Sequence, residues 1–248
     1  MGITTSGMST IKGSLDWFRD QGVILKKALM LGRQDVPSGT SPEEFFYGCG
    51  FTEVNSLDIT DREGADVIHD MNKLVPDSLL NNFDFIFDGG TMEHVFDTKM
   101  FLCNCVKMLR VGGIVHHGNP LNNQVNHGFY QFSPALYFAF YKANYFSVEQ
   151  LSFVATAKIF TEDKKGRVLQ QVIFESKDYS QIEKFALSPR IVLPESIPSN
   201  ITLSIGFWAR KEKNVDEIII PTQPFYSKEY DRKEYDNLKK IIQFKKGI

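Results

Sequence analysis

Acidic residues stand where three apolar runs of this sequence end, and this placement is the first sign of chemistry. Asp58, Asp70 and Asp88 close these runs, and Asp88 is followed by Gly89 and Gly90. In an open parallel sheet, ligands bind in the crevice outside the carboxyl ends of the strands. We therefore expect the three carboxylates to face one ligand site, although a single acid at a strand end is as typical of a helix cap or a turn.

The strands and helices that would position these acids alternate along the chain. Apolar runs predict six strands, at residues 27–31, 52–57, 65–69, 83–87, 114–117 and 146–157. Helical spacing and capping signals predict four helices, which begin near residues 11, 42, 101 and 134. Residues 201–209 alternate apolar and polar side chains, which is typical of an antiparallel strand with two different faces. The sequence therefore predicts an α/β fold with a three-layer αβα sheet, mostly parallel with an antiparallel last strand.

The chain is expected to form a single domain over residues 1–248, because this length suits one large α/β domain. Its core would span about 23–157 and 201–211. A small insertion, about 158–200, separates the sixth strand from the last, and a hairpin within it is predicted to turn at 163–166. In the C-terminal tail, 222–248, Tyr235, Leu238 and Ile241 have the spacing of a terminal helix.

Composition and charge argue against several classes of partner. The formal net charge is -2, from 28 basic and 30 acidic residues, so nothing indicates a nucleic-acid partner. Residues 1–12 lack an apolar signal-peptide run, and no apolar run reaches the length of a membrane span. We therefore expect a cytoplasmic protein with a small-molecule substrate and no membrane contact.

The cysteines and paired histidines do not predict a metal site. Cys103 and Cys105 lie two apart on a predicted helix, so they point in different directions. His116 and His117 are adjacent on a predicted strand and should face opposite sides of the sheet. Neither pair is therefore placed to hold one ion.

Three stretches resemble class I S-adenosylmethionine-dependent methyltransferases, a family with a Rossmann-like fold. They are residues 65–72 (ADVIHDMN), 83–95 (FDFIFDGGTMEHV) and 107–114 (KMLRVGGI), the last similar to the family's turn into strand five. Residues 128–134 (GFYQFSP), followed by an aromatic helix, are similar to members that act on small molecules. The resemblance covers about 27–157 and 201–209, and it implies a Rossmann-like sheet with S-adenosylmethionine as cofactor.

The resemblance implies a set of cofactor-binding residues at the strand ends. Asp58 would bind the ribose hydroxyls, since a carboxylate accepts from both of them. Asp70 would accept from the adenine amino group, and Met71 would donate its backbone N–H and pack against the ring. Asp88 and Gly89 would line the methionine half of the cofactor.

The loop after the first strand departs from the family pattern, which is rich in glycine. Only Gly32 follows this strand directly, and the next glycine is Gly39. Gly32 and Arg33 are expected cofactor contacts, because arginine suits bidentate carboxylate binding and Arg33 or Gln34 would then hold the methionine carboxylate. The alternative is that both side chains are solvated and that the cofactor site is reshaped or lost.

The candidate catalytic residues are His127 and Tyr130, in the irregular stretch after the fifth strand. A neutral histidine there can deprotonate a hydroxyl acceptor near neutral pH. The plain alternative for His127 is a surface loop histidine. For His94, which follows the fourth strand, capping or packing explains the residue as well as catalysis does.

The expected function is methyl transfer from a sulfonium to an oxygen or nitrogen of a small polar acceptor. A sugar or sugar-linked metabolite is favoured by the asparagine-rich stretch 119–126, since amides hydrogen-bond hydroxyls in both directions. The rival hypothesis is a non-catalytic protein of the same fold that binds a partner or a glycan. A different nucleotide ligand, such as a dinucleotide, is a third and weaker hypothesis, because Gly-x-Gly-x-x-Gly is missing after the first strand.

Overall fold

The chain folds around one large mixed β-sheet. The computed structural model describes residues 3–36, 39–160, 166–188, 191–192, 201–223 and 242–243. The strands in these ranges are β1 (Lys27–Leu31), β2 (Glu53–Asp58), β3 (Val67–Ile68), β4 (Phe83–Asp88), β5 (Leu109–Asn122), β6 (Phe146–Phe160), β7 (Gly166–Ser176), β8 (Ile191–Val192), β9 (Thr202–Lys211) and β10 (Ile242–Gln243). The α-helices are α1 (Thr5–Asp20), α2 (Pro42–Gly48), α3 (Thr98–Met108), α4 (Pro134–Ala143) and α5 (Tyr179–Leu187).

Eight strands form the main sheet, in the order β3-β2-β1-β4-β5-β9-β6-β7. From β3 to β5 every neighbouring pair is parallel. Strand β9 lies antiparallel between β5 and β6, and β7 is antiparallel to β6. The predicted Rossmann-like sheet, mostly parallel with an antiparallel last strand, is confirmed. Strands β8 and β10 pair separately.

The strand order reverses between β1 and β4. The chain runs outward from β1 through β2 to β3 and then returns to β4 on the other side of β1. The carboxyl ends of β1 and β4 therefore flank a crevice where the connecting segments leave in opposite directions, which is the usual ligand position in such sheets. Gly32 directly follows β1 and Gly89 directly follows β4.

Two apolar layers cover the two faces of the sheet. On one face, Phe18 of α1 and Phe46 of α2 pack in a cluster that includes Trp208 of β9. On the other face, Phe101 of α3 and Tyr141 of α4 belong to a larger cluster that also holds α5 residues. The antiparallel direction predicted for β9 is confirmed, and both of its faces are buried because both helical layers cover it.

Several element boundaries follow local signals in the sequence. Strand β1 has the predicted bounds. Helix α2 begins after Ser41, whose hydroxyl accepts from the backbone N–H of Glu44 at 3.0 Å, while the Glu44 carboxylate accepts from the N–H of Ser41 at 2.8 Å. This capping box satisfies two backbone donors that the helix itself leaves unpaired.

Other boundaries differ from the sequence prediction. Strand β3 has two residues rather than five. Strand β5 begins at Leu109, so Gly112 and Gly113 lie inside it rather than before it. Phe83 pairs with Leu109 and Phe85 with Ile114, so four residues of β5 bulge out opposite one residue of β4.

The segment between β6 and β9 contributes further pairing to the main sheet. The predicted hairpin is present, since β6 and β7 pair antiparallel from Leu151 and Ser176 to Phe160 and Gly166. Its turn, 161–165, and the predicted terminal helix around Tyr235 lie outside the described residues, and the domain boundaries stay a prediction. No helix in the described ranges is long and apolar enough to cross a membrane.

Candidate functional site

Two partly exposed acids lie where β2 and β3 end: Asp58 is the last residue of β2, and Asp70 follows β3 by two residues. Asp58 pairs with Ile68 across the two strands, and the backbone N–H of His69 donates to the Asp58 carbonyl at 2.8 Å. The Asp58 carboxylate accepts from the N–H of Thr60 at 3.2 Å. Asp58 and Asp70 both keep part of their surface in solvent. The strand ends thus present two acids at one rim of the crevice.

The segment after Asp70 is held by hydrogen bonds from both sides. The Asp70 carboxylate accepts from the backbone and the side-chain amide of Asn72, at 3.0 and 2.8 Å, and these bonds lower the pKa of Asp70. Asn104 of α3 donates to the Lys73 carbonyl at 2.8 Å. Met71 is buried in the core beneath this segment. The local backbone is therefore fixed while the Asp70 carboxylate stays near the surface.

The crevice between β1 and β4 is lined by two glycines and the side chain of Gln34. A Cβ at Gly32 would lie 2.7 Å from the Thr91 hydroxyl oxygen, and one at Gly89 would lie 2.5 Å from the Phe87 ring. Gln34 is buried, and its amide lies 3.3 Å from the first of these Cβ positions and 3.1 Å from the second. Gln34 therefore packs against both glycines, in the position that a ligand in the crevice would approach.

Arg33 points to an acidic partner on α2. Its Nε lies 2.9 Å from Glu43 Oε1 and a terminal nitrogen lies 3.1 Å from Glu43 Oε2, so the pair is bidentate. The other terminal nitrogen donates to the Glu63 carbonyl at 3.0 Å. The structure thus gives Arg33 a partner within the chain, and it brings Gln34 rather than Arg33 to the glycines.

Asp88 is completely buried and accepts four hydrogen bonds. One carboxylate oxygen accepts from the backbone N–H groups of Thr91 and Met92, at 2.9 and 3.3 Å. The other accepts from Nδ1 of His117 at 2.8 Å and from the amide of Asn119 at 3.0 Å. Burial alone would raise the pKa of Asp88, but these bonds and the nearby imidazole outweigh it and the net shift is downward. Asp88 therefore connects the turn after β4 to the C-terminal half of β5.

A buried polar network continues from that carboxylate in two directions. Nε2 of His117 lies 2.6 Å from the hydroxyl of Tyr141. The amide nitrogen of Asn119 also donates to Glu93 Oε2 at 3.0 Å, and its oxygen accepts from the Tyr137 hydroxyl at 2.6 Å. Sequence reasoning did not select these five side chains as site residues. The available signal was a second acid, Glu93, five positions after Asp88, together with a histidine, His117, at the end of the strand predicted at 114–117.

Glu93 forms the far end of this network and meets two histidines. Its side chain is 0% exposed, and within the described part of the chain Oε1 has no hydrogen-bond partner. Nε2 of His127 lies 3.6 Å from this oxygen and Nε2 of His94 lies 4.0 Å from it. Burial, with a smaller contribution from the Asp88 charge, raises the pKa of Glu93 to about 7.

The two predicted catalytic residues therefore have different surroundings. His127 lies beside the buried carboxyl group of Glu93 and keeps about a third of its side chain exposed. Tyr130 instead donates its hydroxyl to the Phe96 carbonyl at 3.1 Å. The structure brings His127, and not Tyr130, to an acidic group.

A cavity of about 200 Å³ lies on the other face of the sheet, between α1 and the strands β4, β5, β6 and β9. Gly89 lines its wall, together with the hydroxyl-bearing residues Thr10, Ser152 and Ser204. His116 also lines it, stacked between Trp208, at 4.2 Å between ring centroids, and Phe87, at 5.3 Å. The cavity thus combines apolar walls with several polar groups next to the crevice.

His116 is buried in the wall of this cavity in its neutral form. Its side chain is 8% exposed, and Nδ1 has no hydrogen-bond partner among the residues that the structure describes. Burial, assisted by the charge of His117, lowers the pKa of His116 to about 3. His116 and His117 face opposite sides of the sheet, as predicted, so one imidazole faces the cavity and the other the Asp88 network.

The buried imidazole of His116 makes the fold sensitive to acid. Below pH 6.5 this histidine is protonated in the unfolded chain. In the folded chain it stays neutral until the pH falls to about 3. Stability is therefore lost as the pH falls, by about 2 kcal/mol between pH 7 and pH 5 from this group. Urea unfolding at both pH values should show that His116→Phe, which keeps an aromatic ring in the stack, removes this part of the loss.

The matched control is His69→Asn, at a half-buried histidine outside the cavity. It should leave the acid sensitivity of the chain close to that of the unaltered protein. Equal losses of stability in His116→Phe and in the unaltered protein would contradict the assignment.

Comparison with known proteins finds structural likeness at low sequence identity. No family model matches the chain, and no curated protein matches it. Among solved structures it is similar to the YcgJ protein of Bacillus subtilis, with 12% identity, 82% of this chain and 99% of that chain covered and a TM-score of 0.46. It is also similar to two S-adenosylmethionine-dependent methyltransferases. The enzyme of Archaeoglobus fulgidus is 14% identical, with 82% of this chain and 94% of that chain covered and a TM-score of 0.44. The enzyme of Clostridium acetobutylicum is 10% identical, with 81% of this chain and 89% of that chain covered and a TM-score of 0.38.

Proposed function

We propose that this chain binds S-adenosylmethionine and transfers its methyl group to an oxygen or nitrogen of a small polar acceptor. The observation that carries the proposal is the pair of partly exposed carboxylates, Asp58 and Asp70, at the carboxyl ends of adjacent parallel strands. Ribose hydroxyls and an adenine amino group are donors, and ionised carboxylates are strong acceptors for them.

The crevice beside these acids suits the other half of the cofactor. Neither Gly32 nor Gly89 could carry a side chain without a shift of its neighbours, since a Cβ would lie 2.7 or 2.5 Å from the nearest atom. Backbone without a Cβ can approach a cofactor closely. When bound, the cofactor supplies an electrophilic methyl group on a sulfonium. The chain's own contribution is to hold donor and acceptor in line and to take up one proton from the acceptor.

The cavity next to Gly89 supports a small polar acceptor such as a sugar or sugar-linked metabolite. Its wall combines the hydroxyls of Ser152 and Ser204 with the imidazole of His116, against apolar and aromatic side chains. This mixture of orienting polar groups and apolar wall is typical of small-molecule sites. The asparagine-rich stretch gives less support than its composition indicated, because the Asn119 amide is fully engaged by three buried side chains.

The non-catalytic alternative is favoured by one specific observation. Gln34 packs against both crevice glycines, so a cofactor must lie over this side chain or displace it. A chain that keeps Gln34 in place would retain the fold and bind a partner or a glycan elsewhere. The two hypotheses differ in whether the folded protein binds the cofactor at all.

Calorimetric titration with S-adenosylmethionine and S-adenosylhomocysteine tests the proposal. We expect micromolar binding of both ligands, weakened at least tenfold by Asp58→Asn and by Asp70→Asn, because each isosteric change removes a charged acceptor. Asp61→Asn, at an exposed acid in the loop after β2, is the matched control and should bind like the unaltered protein. Absence of binding by a protein with a native circular dichroism spectrum would overturn the proposal.

A further inference from the structure

We propose that Glu93, His94 and His127 form a binding site for a first-row divalent metal ion of the zinc type. One carboxylate oxygen and two imidazole nitrogens of these residues all lie within 4.8 Å of one another. The proposal concerns metal binding and is independent of the proposed methyl transfer. It rests on three features of the chain: the turn after β4, the packing of the loop after β5, and the buried carboxylate between them.

The turn after β4 sends neighbouring side chains in different directions. Residues Met92–His94 form a single 3₁₀ turn, with the N–H of His94 donating to the Thr91 carbonyl at 3.0 Å. Glu93 points inward and is fully buried, while His94 keeps 47% of its side chain exposed. The backbone thus holds the carboxylate firmly and leaves the imidazole able to adjust.

The loop after β5 is fastened to the same turn. The N–H of Phe129 donates to the Glu93 carbonyl at 2.7 Å. Gly128 permits this contact, because a Cβ there would lie 2.7 Å from the Glu93 carbonyl oxygen and 2.9 Å from its Cγ. This close approach places the neighbouring His127 beside the carboxylate. Two segments more than thirty residues apart are therefore built to bring these groups together.

The carboxylate itself indicates that a cation belongs there. Glu93 Oε2 accepts from Asn119, while among the described residues Oε1 has no hydrogen bond and faces two imidazole nitrogens at 3.6 and 4.0 Å. A buried oxygen without a donor is costly. A metal ion between the three groups would satisfy Oε1 and both nitrogens at once.

The donor set selects the kind of ion. Two imidazoles with one carboxylate are typical of zinc and other first-row metals, whereas magnesium and calcium prefer oxygen ligands. Tetrahedral donors about 2.0–2.1 Å from zinc lie about 3.3 Å apart, so the partly exposed imidazoles need only close inward. Three protein ligands leave one position for water or a substrate oxygen.

The surrounding residues orient this set. The Asn119 amide holds Glu93 Oε2 at 3.0 Å, and Asn119 in turn accepts from Tyr137 at 2.6 Å. The rings of His94 and His127 meet edge to face, with centroids 5.3 Å apart. Such supporting contacts fix the ligand geometry of protein metal sites.

Metal titration of the tag-free protein after chelator treatment tests the proposal. We expect one zinc ion per chain, bound at micromolar concentration or tighter by chelator competition, and cobalt binding at the same site with visible absorption. His94→Asn and His127→Asn should each weaken zinc binding at least tenfold. Because both imidazoles are partly exposed, the metal-free variants should unfold at nearly the temperature of the unaltered metal-free protein.

His69→Asn is the matched control and should bind zinc like the unaltered protein. Magnesium should not compete at equal concentration. Absence of stoichiometric zinc binding by the folded chain would overturn the proposal, and so would equal zinc affinity in all three histidine variants. Cofactor titration of the same metal-free protein separates this result from the fate of the methyltransferase proposal.

Discussion

Replacing Asp88 with alanine is expected to lower the free energy of unfolding by about 3–5 kcal/mol, the range for removing one partner of a buried charged pair. The carboxylate accepts from two backbone N–H groups, from His117 and from Asn119. The alanine variant leaves the two backbone N–H groups and Nδ1 of His117 without this acceptor, while the Asn119 amide keeps its bond to Glu93. Urea unfolding at pH 7, followed by circular dichroism, measures the change.

The comparison for this prediction is Asp97→Ala. Asp97 is an exposed acid that caps α3 by accepting from the N–H of Met100 at 2.8 Å. Its loss should cost about 1 kcal/mol, the typical value for a helix cap. If Asp88→Ala costs no more than Asp97→Ala, the buried carboxylate does not hold the turn together.

Gly128→Ala should damage the Glu93–His94–His127 site without altering any of its ligands. The added methyl group would lie 2.7 Å from a backbone oxygen of Glu93, so the loop must move away and the bond from Phe129 must lengthen. We expect a loss of about 1–3 kcal/mol in stability, as for overpacking in general. Since the movement carries His127 away from Glu93, zinc affinity in the chelator-competition assay should fall at least tenfold.

Gly13→Ala provides the contrasting variant. Gly13 lies inside α1, and a Cβ there meets nothing within 4 Å. It should stabilise the protein by about 0.5–1 kcal/mol, because alanine is the better helix former. Zinc affinity in Gly128→Ala equal to that in Gly13→Ala would mean that the loop contact does not position His127.

The parts of the fold that local patterns determine could be predicted from the sequence. Strand β1 and helix α2 have short-range signals: an apolar run ending at Gly32, and Ser41-Pro42 followed by Glu44. The start of β5 could not be predicted in the same way. Gly112 and Gly113 read locally as a turn, but pairing with β4 makes them part of a bulge, and this register depends on residues about thirty positions away.

The candidate site shows the same difference between local signals, which the sequence contains, and long-range contacts, which it does not reveal. The sequence placed acids at strand ends, but it could not separate Asp58, which keeps contact with solvent, from Asp88, which is sealed beneath His117 and Asn119 of the neighbouring strand. The partner of Arg33, Glu43 of α2, was equally hidden. Such pairings depend on how strands and helices stack, and residue spacing along the chain does not encode them.

One amide group connects the two ends of the buried network. The side-chain nitrogen of Asn119 donates to both Asp88 and Glu93. Asp88 is followed in the chain by Gly89, which lines the crevice. The amide nitrogen carries only two hydrogens and gives one to each acid, so a single side chain sets the separation of the two buried carboxyl groups.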